Sequence, residues 1–379
     1  MNIGIPNEFA KHENRVSLTP SAVATLAQLG HLVYVESHAG RMSRFGDEPF
    51  RKAGATIVYS KEEVIRRCEL ICSVEAPTLD EVAIMERGQT TFSFLNLPVA
   101  RPQFIESVLQ KKINMIGYEF VEAGDGERPV VHLMSEIAGQ LSIFVAARLL
   151  ETGNHGDPAR GNGRGIILGG AAGVAPAAVV ILGAGVVGTE AARTSVSLGA
   201  QVIVLDRDIK KLRSVDQLLM KRVTTALATP VNVKKSTAYA DVLIGAVSVR
   251  GERTPVVVTE EMVKAMKPGA VIVDVSIDQG GCVQTSRPTT LKDPIFVLHD
   301  VIHYCVPNIT GAVARTATYA LTNSILPYVM EIARKGIVPA LKEDSGLAKA
   351  VCAFDGSFTQ ERAAKIFGEK YQPLENLLQ

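Results

Sequence analysis

The stretch at residues 179–208 constrains the fold of this chain more than any other part of it. It reads VVILGAGVVGTEAARTSVSLGAQVIVLDRD, which is an apolar strand, a glycine turn, a helix and a second apolar strand that ends in an acid. The pattern G-x-G-x-x-G between a strand and a helix is the dinucleotide-binding fingerprint of a βαβ unit. Gly183 permits the tight turn, Gly185 lets a pyrophosphate approach the backbone, and Gly188 lets the helix pack closely on the strand.

The acid that ends the second strand indicates which dinucleotide is expected. A carboxylate at Asp206 can accept hydrogen bonds from a ribose 2′-hydroxyl and would repel a 2′-phosphate, so NAD is favoured over NADP. Arg207, the next residue, leaves some use of NADP open. A glycine-rich turn with a purely structural role is the alternative to NAD binding. The predicted cofactor contacts in this stretch are Gly183, Ala184, Gly185, Val186, Val187, Gly188 and Asp206.

Short apolar strands alternate with helical segments on both sides of the fingerprint. The strands include NIGIP, LVYVES, LICSVE, TTFSFLN and INMIGYE before it, and DVLIGAV, AVIVDVSI and PIFVLHD after it. Such alternation is typical of α/β domains with mainly parallel sheets. We therefore predict a two-domain α/β protein, in which a Rossmann-type, doubly wound NAD domain at 135–309 is inserted into a second α/β domain. That second domain consists of residues 1–134 and 310–379 and is predicted to bind the substrate.

Two long helices are predicted where the domains join, near 135–152 and 314–335. Apolar residues recur in both at helical spacing, and Ser135 is placed to cap the first turn of the former. Two further helices are predicted near the end of the chain, at LAKAVCAF and at SFTQERAAKIFG. Ser357 and Gln360 are expected to form a capping box at the start of the last of these.

Composition limits the partners of the chain. Lys and Arg number 40 against 39 Asp and Glu, so no strong field draws the protein to nucleic acid or to an anionic membrane. The five cysteines form no C-x-x-C pair, which predicts reduced core thiols and no metal site. The N-terminal sequence does not read as a signal peptide, and no charge-free apolar run is expected to be long enough to cross a bilayer. These observations predict a soluble, cytoplasmic protein with a small-molecule partner.

Five segments outside the fingerprint carry a resemblance to a known family. They are ENRVSLTP at 13–20, MSEIAGQ at 134–140, VDVSIDQGGC at 273–282, SRPTT at 286–290 and YALTN at 319–323. In their order and spacing they resemble the alanine dehydrogenase family, part of a superfamily with the transhydrogenase alpha subunit. The resemblance implies reversible, NAD-dependent oxidative deamination of an amino acid to a 2-oxo acid and ammonia. It also implies a homo-oligomer, often a hexamer.

The same resemblance implies roles for single residues. Arg15 stands where the family places a cation for the substrate carboxylate, which a guanidinium can bind through two parallel hydrogen bonds. Asp278 matches the family acid beside the nicotinamide and the substrate, while Ser135 and Asn308 match positions near the cofactor. Each has a structural alternative: Arg15 as a surface arginine, and the other three as local capping residues.

Two positions depart from the family pattern. The family typically reads KVKEP where this chain reads SVEAP, so Glu75 takes the place of a lysine that helps to bind the substrate. The family's FLHL is FLNL here, so the position of the catalytic histidine holds Asn96. An asparagine can donate and accept hydrogen bonds, but it does not titrate near neutral pH. Loss of a positioned general acid or base costs roughly 100- to 10,000-fold in rate, so the sequence predicts poor turnover of alanine.

Three functions remain open on the sequence. The first is an NAD-dependent amino-acid dehydrogenase whose substrate is not plain alanine; Glu75 would suit a substrate with a second amine, and Asn96 would orient a water whose proton goes to Asp278. The second is an opine-type enzyme that reduces an imine formed from a 2-oxo acid and an amine. The third is a non-catalytic NAD-binding sensor or scaffold.

Overall fold

The computed structural model describes residues 1–153, 162–249 and 252–378. The chain divides into two compact units. Unit 1 comprises Met1–Met134 and Gly311–Gln379, and unit 2 comprises Ser135–Thr310. Each unit is built on one mainly parallel sheet, so the predicted class is confirmed: two α/β domains, with one inserted into the other.

The strands of the described residues are numbered here in chain order. They are β1 (Asn2–Ile5), β2 (Leu32–Glu36), β3 (Thr56–Val58), β4 (Leu70–Glu75), β5 (Thr90–Phe94), β6 (Asn114–Gly117), β7 (Ala178–Leu182), β8 (Gln201–Asp206), β9 (Thr224–Leu227), β10 (Val242–Gly245), β11 (Val271–Asp274), β12 (Ile295–Leu298), β13 (Val301–Tyr304), β14 (Val351–Phe354) and β15 (Ser357–Phe358).

The α-helices follow the same convention. They are α1 (Pro20–Gln28), α2 (Asp47–Lys52), α3 (Lys61–Arg67), α4 (Leu79–Ile84), α5 (Pro102–Lys111), α6 (Pro129–Leu149), α7 (Val186–Ser197), α8 (Ile209–Leu218), α9 (Pro230–Tyr239), α10 (Glu260–Lys264), α11 (Ala314–Lys335), α12 (Ile337–Glu343), α13 (Ser345–Ala348) and α14 (Glu361–Phe367).

Unit 1 contains a sheet in the order β15-β14-β6-β5-β4-β1-β2-β3. Its six parallel strands, read from β3 to β6, follow the doubly wound order 3-2-1-4-5-6. The strand order reverses between β1 and β4, and ligands of such sheets bind in the crevice at the carboxyl ends of the strands at that point. The first five residues of β4 are all buried, as expected for a central parallel strand.

Unit 2 repeats this arrangement. Its sheet has the order β12-β13-β11-β10-β7-β8-β9, in which β12 is an antiparallel edge strand. Read from β9 to β13, the parallel strands again follow the order 3-2-1-4-5-6. The reversal lies between β7 and β10, and β7 ends directly before the glycine turn of the fingerprint. The glycine turn therefore lies where this fold binds its ligands.

The predicted start of the first long helix is wrong. Helix α6 begins at Pro129, so Ser135 lies inside it and does not cap its first turn. A proline suits the first turn of a helix because its ring fixes φ and its missing N–H would have no intrahelical partner there. Helix α6 is 21 residues long and has an 18-residue window with a mean hydropathy of 1.5, which is enough to span a membrane by length and composition alone. The helix carries Glu136 and Arg148, so it is not a charge-free apolar run. Core helices of globular proteins meet the same criterion.

The prediction for the end of the chain is also corrected. The segment LAKAVCAF is not one helix, because its second half is the buried strand β14, which pairs antiparallel with β6. An apolar run beside an open strand edge gains more from sheet pairing than from its helix propensity. Ser357 lies in β15, where its Oγ donates to Oε1 of Gln372 at 3.0 Å. Helix α14 begins at Glu361 and Gln360 makes no side-chain cap, so the capping box is absent.

Candidate functional site

The glycine turn between β7 and α7 is shaped by close backbone contacts. Gly183 has a φ of 104°, and a Cβ there would lie 2.3 Å from the carbonyl oxygen of Ala246. A Cβ at Gly188 would lie 1.8 Å from the carbonyl oxygen of Gly183. A Cβ at Gly185 would meet no described atom within 4 Å, so the space before the N-terminus of α7 is open. An open space in front of unpaired helix N–H groups fits a pyrophosphate.

Asp206 ends β8 beside this turn. Its Oδ2 accepts the amide hydrogen of Ala184 at 2.7 Å, and its Oδ1 accepts that of Asp208 at 2.8 Å. The carboxylate is partly buried, and these two hydrogen bonds fix it against the backbone of the turn. Its position matches that of the acid that binds the ribose hydroxyls in the NAD fingerprint.

Asp278 and Asn308, which the sequence related only through family resemblance, lie together in unit 2. The backbone N–H of Asn308 donates to Oδ1 of Asp278 at 2.7 Å. Asn308 adopts a left-handed conformation with φ of 59°, which asparagine tolerates better than most residues. Both side chains are partly buried, so they remain within reach of a small ligand.

Asp274 fixes the loop that carries Asp278, and the sequence analysis missed it. Its buried carboxylate accepts amide hydrogens from Ser276 at 3.1 Å, Cys282 at 3.0 Å and Val283 at 3.2 Å. These bonds hold both ends of the segment that contains Asp278. A second acid four residues before Asp278, at the end of a strand, was the signal that pointed to it.

Arg15 is a buried residue rather than a surface arginine, with 3% of its area exposed. Its Nε and Nη2 donate to the two carboxylate oxygens of Glu13 at 2.9 and 2.8 Å. The segment around it is fixed by helix α11, where the hydroxyl of Thr318 accepts from the Val16 amide and that of Thr322 accepts from the Thr19 amide. The two resemblance segments ENRVSLTP and YALTN thus meet in unit 1.

Glu75 is the last residue of β4, and its carboxylate interacts electrostatically with the guanidinium of Arg15. Burial alone would lower the pKa of Arg15, but the carboxylates of Glu13, Glu75 and Glu8 outweigh this and raise that pKa above its ordinary value. Glu8 follows β1 at the point where the strand order reverses. Its two oxygens accept the amide hydrogens of Val74 at 2.7 Å and Glu75 at 2.9 Å. Burial raises the pKa of Glu8 to about 8, against the opposing effect of Lys11.

Asn96 lies beyond the end of β5 with its side chain exposed. Its backbone is left-handed, with φ of 47°, and its amide donates to Oε1 of Glu119 at 2.8 Å. The Leu95 amide donates to the same carboxylate, at 3.1 Å to Oε1. Glu119 therefore holds the turn that presents Asn96. Burial raises the pKa of Glu119 to about 7, although these amide hydrogen bonds oppose the rise.

Two aromatic side chains pack against each other near Arg15. The ring centroid of Phe94 is 6.0 Å from Cζ of Arg15 and 5.2 Å from the ring centroid of Tyr118. Tyr118 is fully buried, and its hydroxyl finds no hydrogen-bond partner among the described residues. The sequence analysis singled out neither residue.

The structure therefore gathers the predicted residues into two groups. Glu75 is the last residue of β4, and Arg15 and Asn96 come after β1 and β5. These three strands are adjacent in the unit 1 sheet and end at the same edge. The fingerprint glycines, Asp206, Asp278 and Asn308 belong to unit 2. Among the residues that the structure describes, no cluster of three His, Cys, Asp or Glu side chains could hold a metal ion. All five cysteines are buried and free, which confirms their predicted core role.

Comparisons with known proteins cover nearly the whole chain. The family model "Alanine dehydrogenase/PNT, N-terminal domain" matches residues 4–138, and its C-terminal counterpart matches residues 143–361. The alanine dehydrogenase of Methanococcus maripaludis is 43% identical over 379 residues, which is 100% of both chains.

Solved structures give the same result. An L-alanine dehydrogenase superposes with a TM-score of 0.88 at 41% identity, covering 97% of this chain and 99% of that one. A transhydrogenase from Sinorhizobium meliloti has a TM-score of 0.75 at 22% identity over 95% of this chain and 99% of its own, which shows a shared fold. The full-length identity above 40% and the paired domain matches establish that the chain belongs to the alanine dehydrogenase/PNT family and is an NAD-dependent oxidoreductase that acts on CH–NH2 groups.

Proposed function

We propose that this protein catalyses the reversible oxidative deamination of an L-amino acid other than plain alanine, giving a 2-oxo acid and ammonia. The relatives described above are named for activity on alanine. The observation that carries the altered substrate is the charge around Arg15: a carboxylate, Glu75, acts on its guanidinium where the family resemblance implies a second cation. An anion at that position weakens the binding of any substrate held only by its carboxylate.

The proposal assigns NAD to unit 2. Gly183, Ala184, Gly185, Val186, Val187 and Gly188 would surround the pyrophosphate, and Asp206 would accept hydrogen bonds from the ribose. Ser135 and Asn308 would lie near the cofactor, as the family resemblance implies. When bound, NAD supplies the hydride acceptor. The open space at Gly185 supports this assignment, because only a residue without a side chain leaves room there for a phosphate.

The proposal assigns the substrate to unit 1. Arg15 would bind the substrate carboxylate, and Glu75 would select the rest of the substrate by charge. Asn96 would orient a water by hydrogen bonding, and Asp278, which belongs to unit 2, keeps its proposed role as a proton acceptor. Because Asn96 cannot act as a general acid or base, alanine would be oxidised slowly even where it binds. We further propose a cytoplasmic location and a homo-oligomer, with the hexamer of the family resemblance as the expected form.

Steady-state oxidation of a panel of L-amino acids, followed by NADH formation and by ammonia release, tests this function. We expect at least one amino acid to be oxidised with a kcat/KM roughly 100-fold above that for alanine, with one ammonia released for each NADH. Efficient oxidation of alanine would contradict the altered substrate. Consumption of NADH with a 2-oxo acid and an amine, without ammonia release, would favour the opine-type reaction. NAD binding without turnover of any amino acid would favour a sensor.

A further inference from the structure

We propose that two carboxyl groups, those of Glu8 and Glu119, are positioning residues of the unit 1 site. Glu8 holds Glu75 in place, and Glu119 holds Asn96 in place. The inference rests on the proposed function, in which Glu75 selects the substrate by charge and Asn96 orients a water. Each carboxyl group acts on the reaction only through the backbone of the residue that it holds.

The two carboxyl groups hold neighbouring strand ends from opposite sides. In the unit 1 sheet, β4 and β5 pair with each other and lie between β1 and β6. Glu8 follows β1 and accepts amide hydrogens from the end of β4. Glu119 follows β6 and accepts amide hydrogens from the turn after β5. The two outer strands therefore each supply one carboxyl group that fixes the end of an inner strand.

Glu8 holds β4 where its regular pairing ends. Residues 72–75 of β4 oppose residues 92–94 of β5, which is one residue fewer, so β4 contains a β-bulge. A bulge re-aims the side chains next to it. Oε2 of Glu8 accepts the Val74 amide at 2.7 Å, and its Oε1 accepts the Glu75 amide at 2.9 Å. These bonds fix the bulged backbone and thereby the direction of the Glu75 side chain.

Glu119 holds a turn with an unusual backbone. Asn96 has φ of 47° and ψ of 43°, a left-handed conformation that residues other than glycine rarely adopt. Oε1 of Glu119 accepts the amide of Asn96 at 2.8 Å and that of Leu95 at 3.1 Å. Hydrogen bonds to an ionised acceptor are stronger than those between neutral groups, and here they offset the strain. Without them we expect the turn to relax and the Asn96 side chain to move.

The charges around both carboxyl groups set the pH for a test. Burial raises the pKa of Glu8 to about 8 and that of Glu119 to about 7, and the amide hydrogen bonds oppose this rise. At Glu8, Lys11 also opposes the rise, while Glu13 adds to it. At Glu119, Arg128 opposes it. The amides therefore bind the ionised carboxyl groups more strongly, and at about pH 9 both groups are ionised.

Steady-state oxidation of the preferred amino acid at about pH 9 tests the two roles. Glu8→Gln replaces one accepting oxygen with a donor, so one of the two held amides loses its partner. Because Glu75 selects the substrate, we expect KM to rise roughly 5-fold or more while kcat stays within about 2-fold. Glu119→Ala removes both hydrogen bonds from the turn that carries Asn96. We expect kcat to fall roughly 10- to 100-fold with little change in KM, because only the water is misplaced.

The two positions should also respond differently to glutamine. Glu8 accepts one amide with each oxygen, whereas Oε1 of Glu119 accepts both amides. The single amide oxygen of Glu119→Gln can therefore accept both hydrogen bonds. We expect Glu119→Gln to restore most of the kcat that Glu119→Ala loses. Should Glu119→Ala not fold, Glu119→Asp, whose side chain is shorter by one methylene, takes its place.

Double-mutant cycles show whether each carboxyl group acts through its proposed neighbour. Two residues that act as one unit have effects that do not add. Glu8→Gln should therefore change KM no further in a Glu75→Gln background. Glu119→Ala should lower kcat no further in an Asn96→Gly background, where glycine tolerates the left-handed backbone. Additive effects in either cycle would overturn the role of that carboxyl group, and an unchanged KM in Glu8→Gln would overturn the role of Glu8.

Two variants serve as matched controls. Asp344 of unit 1 also accepts two amides with one oxygen, those of Gly346 and Leu347 at 2.8 and 2.9 Å, at the start of α13. Asp344→Ala should lower the melting temperature but leave KM, and kcat for each NADH-binding site, unchanged. Glu106→Gln, which changes an exposed glutamate on α5, should alter none of these values.

The positioning roles and the proposed function can fail separately. If alanine is the preferred substrate, the proposed function fails, and the same cycles with alanine still decide the two roles. If no amino acid is oxidised, amide hydrogen exchange decides whether the carboxyl groups hold these backbones. Exchange at residues 74 and 75 should then be faster in Glu8→Gln, and exchange at residues 95 and 96 faster in Glu119→Ala. Wild-type exchange rates in both variants would overturn the proposal.

Discussion

Single buried carboxyl groups link the stability of this protein to pH. Burial raises the pKa of Glu8 to about 8 and that of Glu119 to about 7, from an ordinary value of 4.5. The folded protein therefore keeps protons that the unfolded chain releases above that ordinary value. A raised acid pKa contributes stability that is complete at lower pH and is lost as the pH rises through the folded-state pKa.

Glu8→Gln tests this linkage. The wild type should lose stability as the pH rises from 4.5 towards about 8, and the variant should lose less because its amide side chain cannot ionise. We expect the loss over that range to differ by ~4 kcal/mol, because each pKa unit corresponds to about 1.4 kcal/mol. Urea unfolding at a series of pH values measures it. The slope due to Glu119 should remain, and Glu106→Gln should behave as the wild type; identical slopes for Glu8→Gln and wild type would show that Glu8 is ionised in the fold.

The sequence singled out candidate site residues but not the contacts around them. Arg15 could be found because its segment matches the family that the chain resembles, and Glu75 and Asn96 because their segments depart from that family's pattern. The bidentate pairing of Arg15 with Glu13 and the unpaired hydroxyl of Tyr118 depend on side-chain packing between segments distant in sequence. Nothing in the local pattern of residues encodes such contacts.

At the scale of secondary structure, two glycines in the turn before α7 are expected to be needed for different reasons. One is needed for the backbone shape of the turn, and the other for nucleotide binding. Gly188 must lack a Cβ for the turn itself to form, whereas Gly185 contacts no described atom that a Cβ would displace. Its φ of −78° is open to any residue. Only a bound nucleotide would make a side chain at Gly185 unfavourable.

We therefore expect Gly185→Ala and Gly188→Ala to differ. Gly188→Ala should destabilise the unliganded protein by about 1–3 kcal/mol, because the backbone must move to relieve the clash. Gly185→Ala should change its stability by less than about 1 kcal/mol but weaken NAD binding at least roughly 10-fold. Melting temperatures without NAD and titration with NAD measure the two effects. Normal NAD affinity in Gly185→Ala would mean that this turn does not receive the pyrophosphate.

Element predictions succeeded where the local pattern and the tertiary contacts agreed. The apolar run of β7 and the helical spacing of apolar residues in α11 each form the predicted element. Strand β14 was missed because its sequence, VCAF, suits either a helix or a strand, and the edge of β6 decides between them. Helix α6 was predicted to begin at Ser135, because a serine often caps the first turn of a helix. The helix begins at Pro129 instead, and its first apolar residues precede that serine.

The two units of the molecule share the same order of parallel strands but carry different side chains at the carboxyl ends of those strands. The glycine fingerprint predicted the doubly wound sheet of unit 2. Unit 1 has the same parallel order without such a fingerprint, since Pro6, Asn7 and Glu8 follow its first strand where unit 2 has its glycines. Its carboxyl edge carries charged side chains in place of a phosphate loop. The two departures from the family pattern, Glu75 and Asn96, both lie in unit 1, so we expect the functional change to be confined to that unit.

The most direct test is alanine oxidation by the wild type and by the double variant Glu75→Lys/Asn96→His. We predict that kcat/KM for alanine rises by roughly 100-fold or more in the double variant, because a substrate-binding cation and a titrating side chain are introduced together. The affinity for NAD, measured in parallel, should not change. A wild type that oxidises alanine as efficiently as the double variant would contradict the altered substrate, because Glu75 and Asn96 would then not set this protein apart from its relatives.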